Sequence, residues 1–479
     1  MADSAHASPS AKWNVAHIVR LFDASHVPSP LAKRVGLVSH DAMVLHAPLP
    51  HDSQPWDAER PERLSASMGE LDESGLAALC TPVTPRQAMR DDLLLCAFSR
   101  LMGPSPLPGT SANETRTHKK PGIQPSPPFP GPRIVTVLSI TLSPLLNFIP
   151  AHPHTHSPTG HSAAHVDALL PLADADACTR DALVRTAKTY NTIFMNEQSV
   201  NAALWATGSL LAAVDAVLVA KTVDAAVAVV RPPGHHSEHE CAMGFCFFNN
   251  VAIAASHAIE RLGLDRVAIV DWDVHHGNGT QRRFESDRRV LTIDLHRSDE
   301  GVFYPGILSM TGDYTTYDLA AAGRAAFVGS DAGAGYAANV AWDTPYLMGD
   351  AEYAHAFDRV VCPLLSAFRP QLLLIAAGFD SARGDPLGDC DITPTGYAAL
   401  VHRLQRSVPD CPVVLALEGG YNVHSVKYGL GACVGALLGA QITVADESAA
   451  ADRAHPDAQA AVRRTRAALS PFWHGLADE

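Results

Sequence analysis

The sequence predicts an α/β fold, a single domain built on a central, mostly parallel sheet flanked by helices. Three observations carry that reading. Short apolar, β-branched runs recur along the chain, helix-length stretches separate them, and a polar motif begins where each run stops. GLVSH at 36–40 reads as the first strand, and a proline-bearing loop at 46–64 leads into a helix near 64–78. Further strands are expected at 225–230, 266–271, 289–294, 370–378 and 412–420. Helices are expected at 199–220, 249–262, 350–368, 394–407 and 427–439. Strands buried on both faces by such helices need near-continuous apolar runs, which these are.

Residues 1–34 read as an N-terminal extension, 35–445 as the domain, and 446–479 as a helical tail that docks back through Phe472 and Trp473. A Pro, Ser, Thr and His-rich stretch at 101–160 interrupts the domain. It reads as a disordered surface insertion with a short apolar piece at 134–149, and His152, His154, His156 and His161 read as members of a solvated loop.

The chain has 479 residues, of which 47% are apolar, enough for a sizeable core. Its formal charge of −14 makes the surface repel nucleic acid, so direct nucleic-acid binding is not expected and a basic partner fits the sign. Nine scattered cysteines favour a reducing compartment over a disulfide-built fold. The apolar stretches at 135–149 and 207–230 are interrupted or short for a membrane span. Cytoplasm and nucleus both suit such a chain, and the acid-poor first 30 residues are compatible with an organelle as well.

The chemistry sits at the strand ends. Asp271, Asp273 and His275 alternate in VDWDVHHGNGT, so an extended backbone would present them to one side. Asp380 ends another strand in AAGFD. Each alone reads as a strand-end cap, but Asp273, His275 and Asp380 together make a zinc site with open positions, where bound water loses a proton more easily. His235 and His236 follow PPG, with Asp271 available to orient one ring and Asn278 the other, which would give the imidazoles unequal proton affinity. Tyr421 follows two glycines in LEGGY, placed to donate to a developing oxyanion.

These motifs, in this order, resemble the zinc-dependent histone deacetylase family, specifically its class II branch with the bacterial acetylpolyamine amidohydrolase and acetoin-utilisation relatives. The resemblance covers roughly residues 35–440. It implies an arginase-like fold and hydrolysis of Nε-acetyl-lysine in proteins, histones among them, to lysine and acetate. It also implies Asp273, His275 and Asp380 as zinc ligands, His236 as general base, His235 with Asp271 as its electrostatic partner, and Tyr421 as the carbonyl-polarising group. Asn278 stands where class II members have asparagine. Phe245 and Tyr304 match the tunnel walls, Tyr304 departing from the usual phenylalanine, with Gly244, Phe303, Leu387 and Gly419 also around the tunnel.

Relatives hold a potassium ion with the counterparts of Asp271, Asp273, His275, Asp294 and Leu295, and Asp294 replaces a usual Ser or Thr. Leu387 replaces the glutamate by which acetylpolyamine enzymes read a distal ammonium, which favours a protein substrate. The competing readings are an amidohydrolase of small acetylated amides and a weakly catalytic scaffold. A two-manganese site would require further ligands that the motifs lack. The stretch 101–160 reads as a lineage-specific loop or a translated intron, with the second slightly favoured, and in either case it threatens activity. The sequence leaves the oligomeric state open.

Overall fold

Eight strands, all joined in parallel, form one sheet in the order β2-β1-β3-β8-β7-β4-β5-β6. In chain order these are β1 (Val35–Val38), β2 (Thr81–Pro82), β3 (Ala225–Ala228), β4 (Val267–Asp271), β5 (Val290–Arg297), β6 (Ala337–Trp342), β7 (Leu372–Ala377) and β8 (Val413–Leu417). The structure, a computed structural model, describes residues 33–48, 59–95, 161–174, 178–308, 318–344, 348–440 and 453–476. The expected insertion at 101–160 and its apolar piece lie outside the described residues.

Every residue of β3, β4, β6, β7 and β8 is buried, as a parallel sheet covered on both faces requires. The helix Ser199–Leu218 is long and apolar enough to cross a membrane by length and composition, yet 78% of its apolar window is buried inside the fold. Asn250–Glu260, Pro394–Ser407 and Val423–Leu438 fill the other expected helical positions. The stretch expected as one helix at 350–368 is Asp350–Ala356, a π turn over Phe357–Val361, and Cys362–Phe368. The wide turn falls just before Pro363, whose missing N–H cannot continue the usual i to i−4 ladder.

Strand β6 escapes the sequence reading because AANVAW has little β-branched density, and β2 because it is two residues long. The C-terminal helix Pro456–Leu469 packs on β6, and Thr465 donates to the Asn339 carbonyl. Trp473 docks with its indole N–H on the Gly335 carbonyl at 2.7 Å, and Phe472, expected to dock with it, lays its ring over Gly335 while staying 45% exposed. His161 overturns the solvated-loop expectation. It is buried, with Nδ1 donating to the Glu238 carbonyl at 2.8 Å and Nε2 accepting from the Asn249 amide at 2.9 Å.

A fully buried ionic knot ties the first half of the domain to the sheet. Arg231, just beyond β3, grips Glu59 through Nε and Nη2 at 2.7 and 2.6 Å. Arg63 donates to the same carboxylate at 2.8 Å and to the carbonyls of Glu418 and Gly420 beyond β8. Burial would raise the Glu59 carboxyl, but the two guanidinium charges outweigh it and hold it at about 2. His46 lies 3.5 Å from Glu59 and stacks on Phe194; burial, then the Arg231 charge, lowers it to about 3.

Both folded values lie below the ordinary ones of 4.5 and 6.5, so each group contributes stability that is complete above the ordinary value and is lost as pH falls. The His46 contribution fades from pH 6.5 toward 3 and that of Glu59 from 4.5 toward 2. The urea midpoint is therefore expected to begin falling below pH 6.5, and more shallowly in His46→Gln. An identical slope in the variant overturns the assignment. Glu59→Gln should cost about 3–5 kcal/mol at neutral pH, because it strands two buried guanidinium groups.

Candidate metal centre and histidine pair

Strand β4 ends at Asp271, and the backbone then curls instead of remaining extended as the alternating spacing suggested. The curl is built by the aspartates themselves: the Asp273 amide donates to Asp271 Oδ1 and the His275 amide to Asp273 Oδ1, both at 3.0 Å. Short acidic side chains compete in this way for backbone two residues on. The result still gathers the three residues at the rim.

Asp273 has a second amide donor besides His275, and Asp380 has one. Gly419 N–H donates to Asp273 Oδ2 and Val274 N–H to Asp380 Oδ1, both at 2.8 Å. Their other oxygens, Asp273 Oδ1 and Asp380 Oδ2, face His275 Nδ1 at 3.2 and 3.1 Å. Among the described residues these three side chains each bring a donor atom to within 4.8 Å of the others, and all are buried. Burial lowers the proton affinity of His275, but hydrogen bonds to Asp273 and Asp380 outweigh it and push its pKa up to about 9. Burial and then the Asp273 charge push Asp380 up to about 7. A buried cluster that strains to share positive charge, with two oxygens and one ring nitrogen converging, fits a divalent cation of the zinc type.

Beside it, the His235 and His236 rings lie 4.0 Å apart between centroids, with their planes tilted by 45°. His235 Nδ1 donates to Asp271 Oδ2 at 3.0 Å, and its Nε2 lies 3.7 Å from Asp273 Oδ1. Burial disfavours its charge, but Asp273 and Asp271 outweigh burial and raise its pKa well above the usual value. His236 Nδ1 bonds Asn278 Oδ1 at 2.8 Å, and burial, then the His235 and His275 charges, hold its pKa far below the usual value. Burial and the nearby aspartates keep the Tyr421 hydroxyl protonated by raising its pKa.

Phe245 clusters with Phe194 and Tyr421, with Leu387 packed against them. Gly244, at φ 57, lies so close to His236 that a Cβ would meet its Cδ2 at 2.4 Å. Phe303 stacks on His275 at 5.1 Å and lies under the Arg297 guanidinium. Tyr304 meets His236 edge to face at 5.2 Å, packs with Met243, Leu308 and Leu319, and places its hydroxyl 3.3 Å from Thr192. Asp294 is the cross-strand partner of Asp271, and Leu295 follows it in β5. The Asp294 carboxylate accepts from His296 Nδ1 at 2.6 Å and from the Gly277 amide at 2.7 Å.

Four supporting residues were missed by the sequence reading. Asp385 accepts from the amides of Tyr421, Asn422, Leu387 and Gly388, fixing the two loops that carry Tyr421 and Leu387. Its place before proline in GDPLG was a usable turn signal. Glu418 accepts from the amides of Gly234 and His235 at 2.7 and 3.2 Å; its place in LEGGY between an apolar run and two glycines marked it as buried. Arg63 and Glu238 lie in charged stretches that carry no such mark.

Fold and rim together define the class: an arginase-like α/β protein with a three-ligand donor set at the carboxyl ends of its strands. A family model described as "Histone deacetylase domain" matches residues 139–437, beginning inside the stretch read as an insertion. The chain belongs to the histone deacetylase family. It is 41% identical over 299 residues to Histone deacetylase 5 of Arabidopsis thaliana, covering 62% of this chain and 42% of that protein. It is 42% identical over 258 residues to Histone deacetylase 7 of Homo sapiens, covering 53% of this chain and 25% of that protein. The chain thus spans less than half the length of these curated relatives. The solved structure titled "Crystal Structure of HDA15 HD domain" aligns with a TM-score of 0.67 at 31% identity, over 93% of this chain and 96% of that one. The class II branch is consistent with these relatives.

Gly419 gives the donor set its sharpest test. A Cβ there would lie 2.3 Å from Asp380 Oδ2 and 2.4 Å from Asp273 Oδ2. Gly419→Ala is therefore expected to weaken zinc affinity by about 10–100-fold, the range seen when the groups around metal ligands are disturbed. Competition against a chromophoric chelator measures this, and unchanged affinity overturns it.

Proposed function

We propose that this protein is a class II-type zinc hydrolase that removes acetyl groups from Nε-acetyl-lysine in proteins, histones among them. The observation that carries the reading is the convergence, at one rim, of the Asp273, His275 and Asp380 donors with two imidazoles of opposed proton affinity. Zinc, when bound by those three residues, polarises the amide carbonyl and acidifies water. His236 is neutral, and with Nδ1 engaged by Asn278 its Nε2 takes the proton of the attacking water. His235, kept cationic by Asp271 and Asp273, balances the charge that develops and supports protonation of the leaving amine. Tyr421, held neutral and positioned by Asp385, donates to the oxyanion.

Phe245 and Tyr304, with Gly244, Phe303 and Gly419, form the walls that embrace the aliphatic part of acetyl-lysine and exclude water. Leu387 packs against Phe245 and Tyr421 with no charge to offer a distal ammonium, which supports protein acyl-lysine over acetylpolyamine. A structural potassium ion belongs to the same reading, held by Asp271, Asp273, His275, Asp294 and Leu295. The cross-strand pairing of Asp271 with Asp294 supports it. The net negative charge suits a basic protein substrate, and eight cysteines that form no disulfide among the described residues suit nucleus or cytoplasm.

Zinc-loaded protein is expected to hydrolyse an acetyl-lysine peptide in preference to acetylpolyamine. Tyr421→Phe and His236→Ala should each lower kcat by about 100-fold or more. Preference for the polyamine overturns the substrate class. Inhibitor binding with zinc bound and no turnover overturns the enzymatic reading in favour of a scaffold.

A further inference from the structure

Behind His236 runs a chain of polar groups that ends at the surface. His236 Nδ1 meets Asn278 Oδ1 at 2.8 Å, Asn278 Nδ2 meets Glu238 Oε1 at 2.6 Å, and Glu238 Oε2 meets Arg282 Nη1 at 2.5 Å. Glu238 and Asn278 are buried, whereas the Arg282 side chain is 30% exposed. The order of donors along this chain is fixed by chemistry. The Arg282 guanidinium carries a permanent positive charge against Glu238 Oε2 and so favours the carboxylate, both oxygens of which only accept. Asn278 must therefore turn its NH2 toward Glu238, which leaves its carbonyl oxygen for His236. An amide oxygen cannot donate, so the His236 proton sits on Nδ1 and the lone pair on Nε2.

We propose that Glu238 is a positioning residue that sets the orientation of the Asn278 amide and, through it, the tautomer of His236. Its own place is secured from both sides. The Glu238 amide donates to the Cys241 carbonyl at 2.9 Å, and its carbonyl accepts from His161 Nδ1 at 2.8 Å. Asn278 Nδ2 also approaches the His236 carbonyl at 3.4 Å and Met243 Sδ at 3.5 Å, both longer than its 2.6 Å bond to Glu238. Without Glu238 only these long contacts oppose a reversed Asn278 amide that presents its NH2 to His236 Nδ1. That pairing selects the tautomer with the proton on Nε2, which cannot accept a proton from water at that atom. The inference rests on the role proposed above for His236, and wild-type turnover tests that role separately.

The test exchanges donor and acceptor. Asn278→Asp alone sets a carboxylate against Glu238 and is expected to lower kcat for acetyl-lysine peptide by about 20-fold or more. Adding Glu238→Gln restores an amide-to-carboxylate bond while the carboxylate introduced by Asn278→Asp still accepts from His236 Nδ1. The double variant should recover about 5-fold or more of that loss, with KM within about 2-fold. Glu238→Leu in the otherwise native protein should lower kcat by about 10-fold or more with zinc stoichiometry retained. In zinc-loaded protein, the imidazole nitrogen shifts of His236 should move from the Nδ1–H pattern toward the Nε2–H pattern. A double variant no better than Asn278→Asp, or a Glu238→Leu protein that keeps the native nitrogen pattern, overturns the proposal. If Glu238→Leu does not fold, the exchange pair decides alone. If wild type has no turnover, the role of His236 fails, and the nitrogen shifts still report whether Glu238 sets its tautomer.

Discussion

The rim depends on buried carboxylates that are held by directional donors. Where a parallel strand ends, its ladder partners stop and its last amides must find other acceptors. Here the acceptors are acidic side chains. Asp273 takes the Gly419 amide, Asp380 takes the Val274 amide, Asp385 takes four amides, and Glu418 takes those of Gly234 and His235. Each bond satisfies a backbone group that would otherwise cost free energy when buried, and each leaves the opposite oxygen of Asp273 and Asp380 turned toward His275. The geometry of the donor set is thus a consequence of how the sheet satisfies its own hydrogen bonds.

Charge follows from that placement. The Asp273 charge adds to burial in raising Asp380, Asp273 and Asp271 outweigh burial to hold His235 cationic, and burial, then the His235 charge at a centroid distance of 4.0 Å, keeps His236 neutral. The two rings are adjacent in sequence and identical in composition, so their difference comes from their surroundings, the Asp273 and Asp271 carboxylates for one and an amide with two neighbouring imidazoles for the other. On the far side of the same loops, Arg63 and Arg231 place two positive charges around Glu59. Arg63 also reaches the Glu418 and Gly420 carbonyls, so the loop bearing Tyr421 is anchored to a helix that begins at Glu62.

What was legible in the sequence follows the same physics. Parallel strands buried on both faces announce themselves as apolar runs, so β3, β4, β5, β7 and β8 were readable, and the strand-end motifs located the rim. Strand β6 was not, because AANVAW draws its burial from the C-terminal helix packed on it, not from β-branched density. Asp271, Asp273 and His275 were readable as a group, but their curl was not, since spacing of two is shared by extended strands and by side chains capping the second residue on. Glu238 and Arg282 were invisible. Their role depends on a contact across 44 residues, and charged residues in loops or on short helices look alike until a partner is known.

The segment that begins at His161 is tied to the rim from its first residues. His161 is buried with both ring nitrogens bonded, His165 bonds the Phe247 carbonyl, and Val166 and Leu169 join the main core. Burial of the two aliphatic side chains alone contributes about 3–6 kcal/mol. The segment is thus packed into the main core, and the carbonyl that His161 holds belongs to Glu238. The residue that sets the His236 tautomer in our proposal is secured by His161.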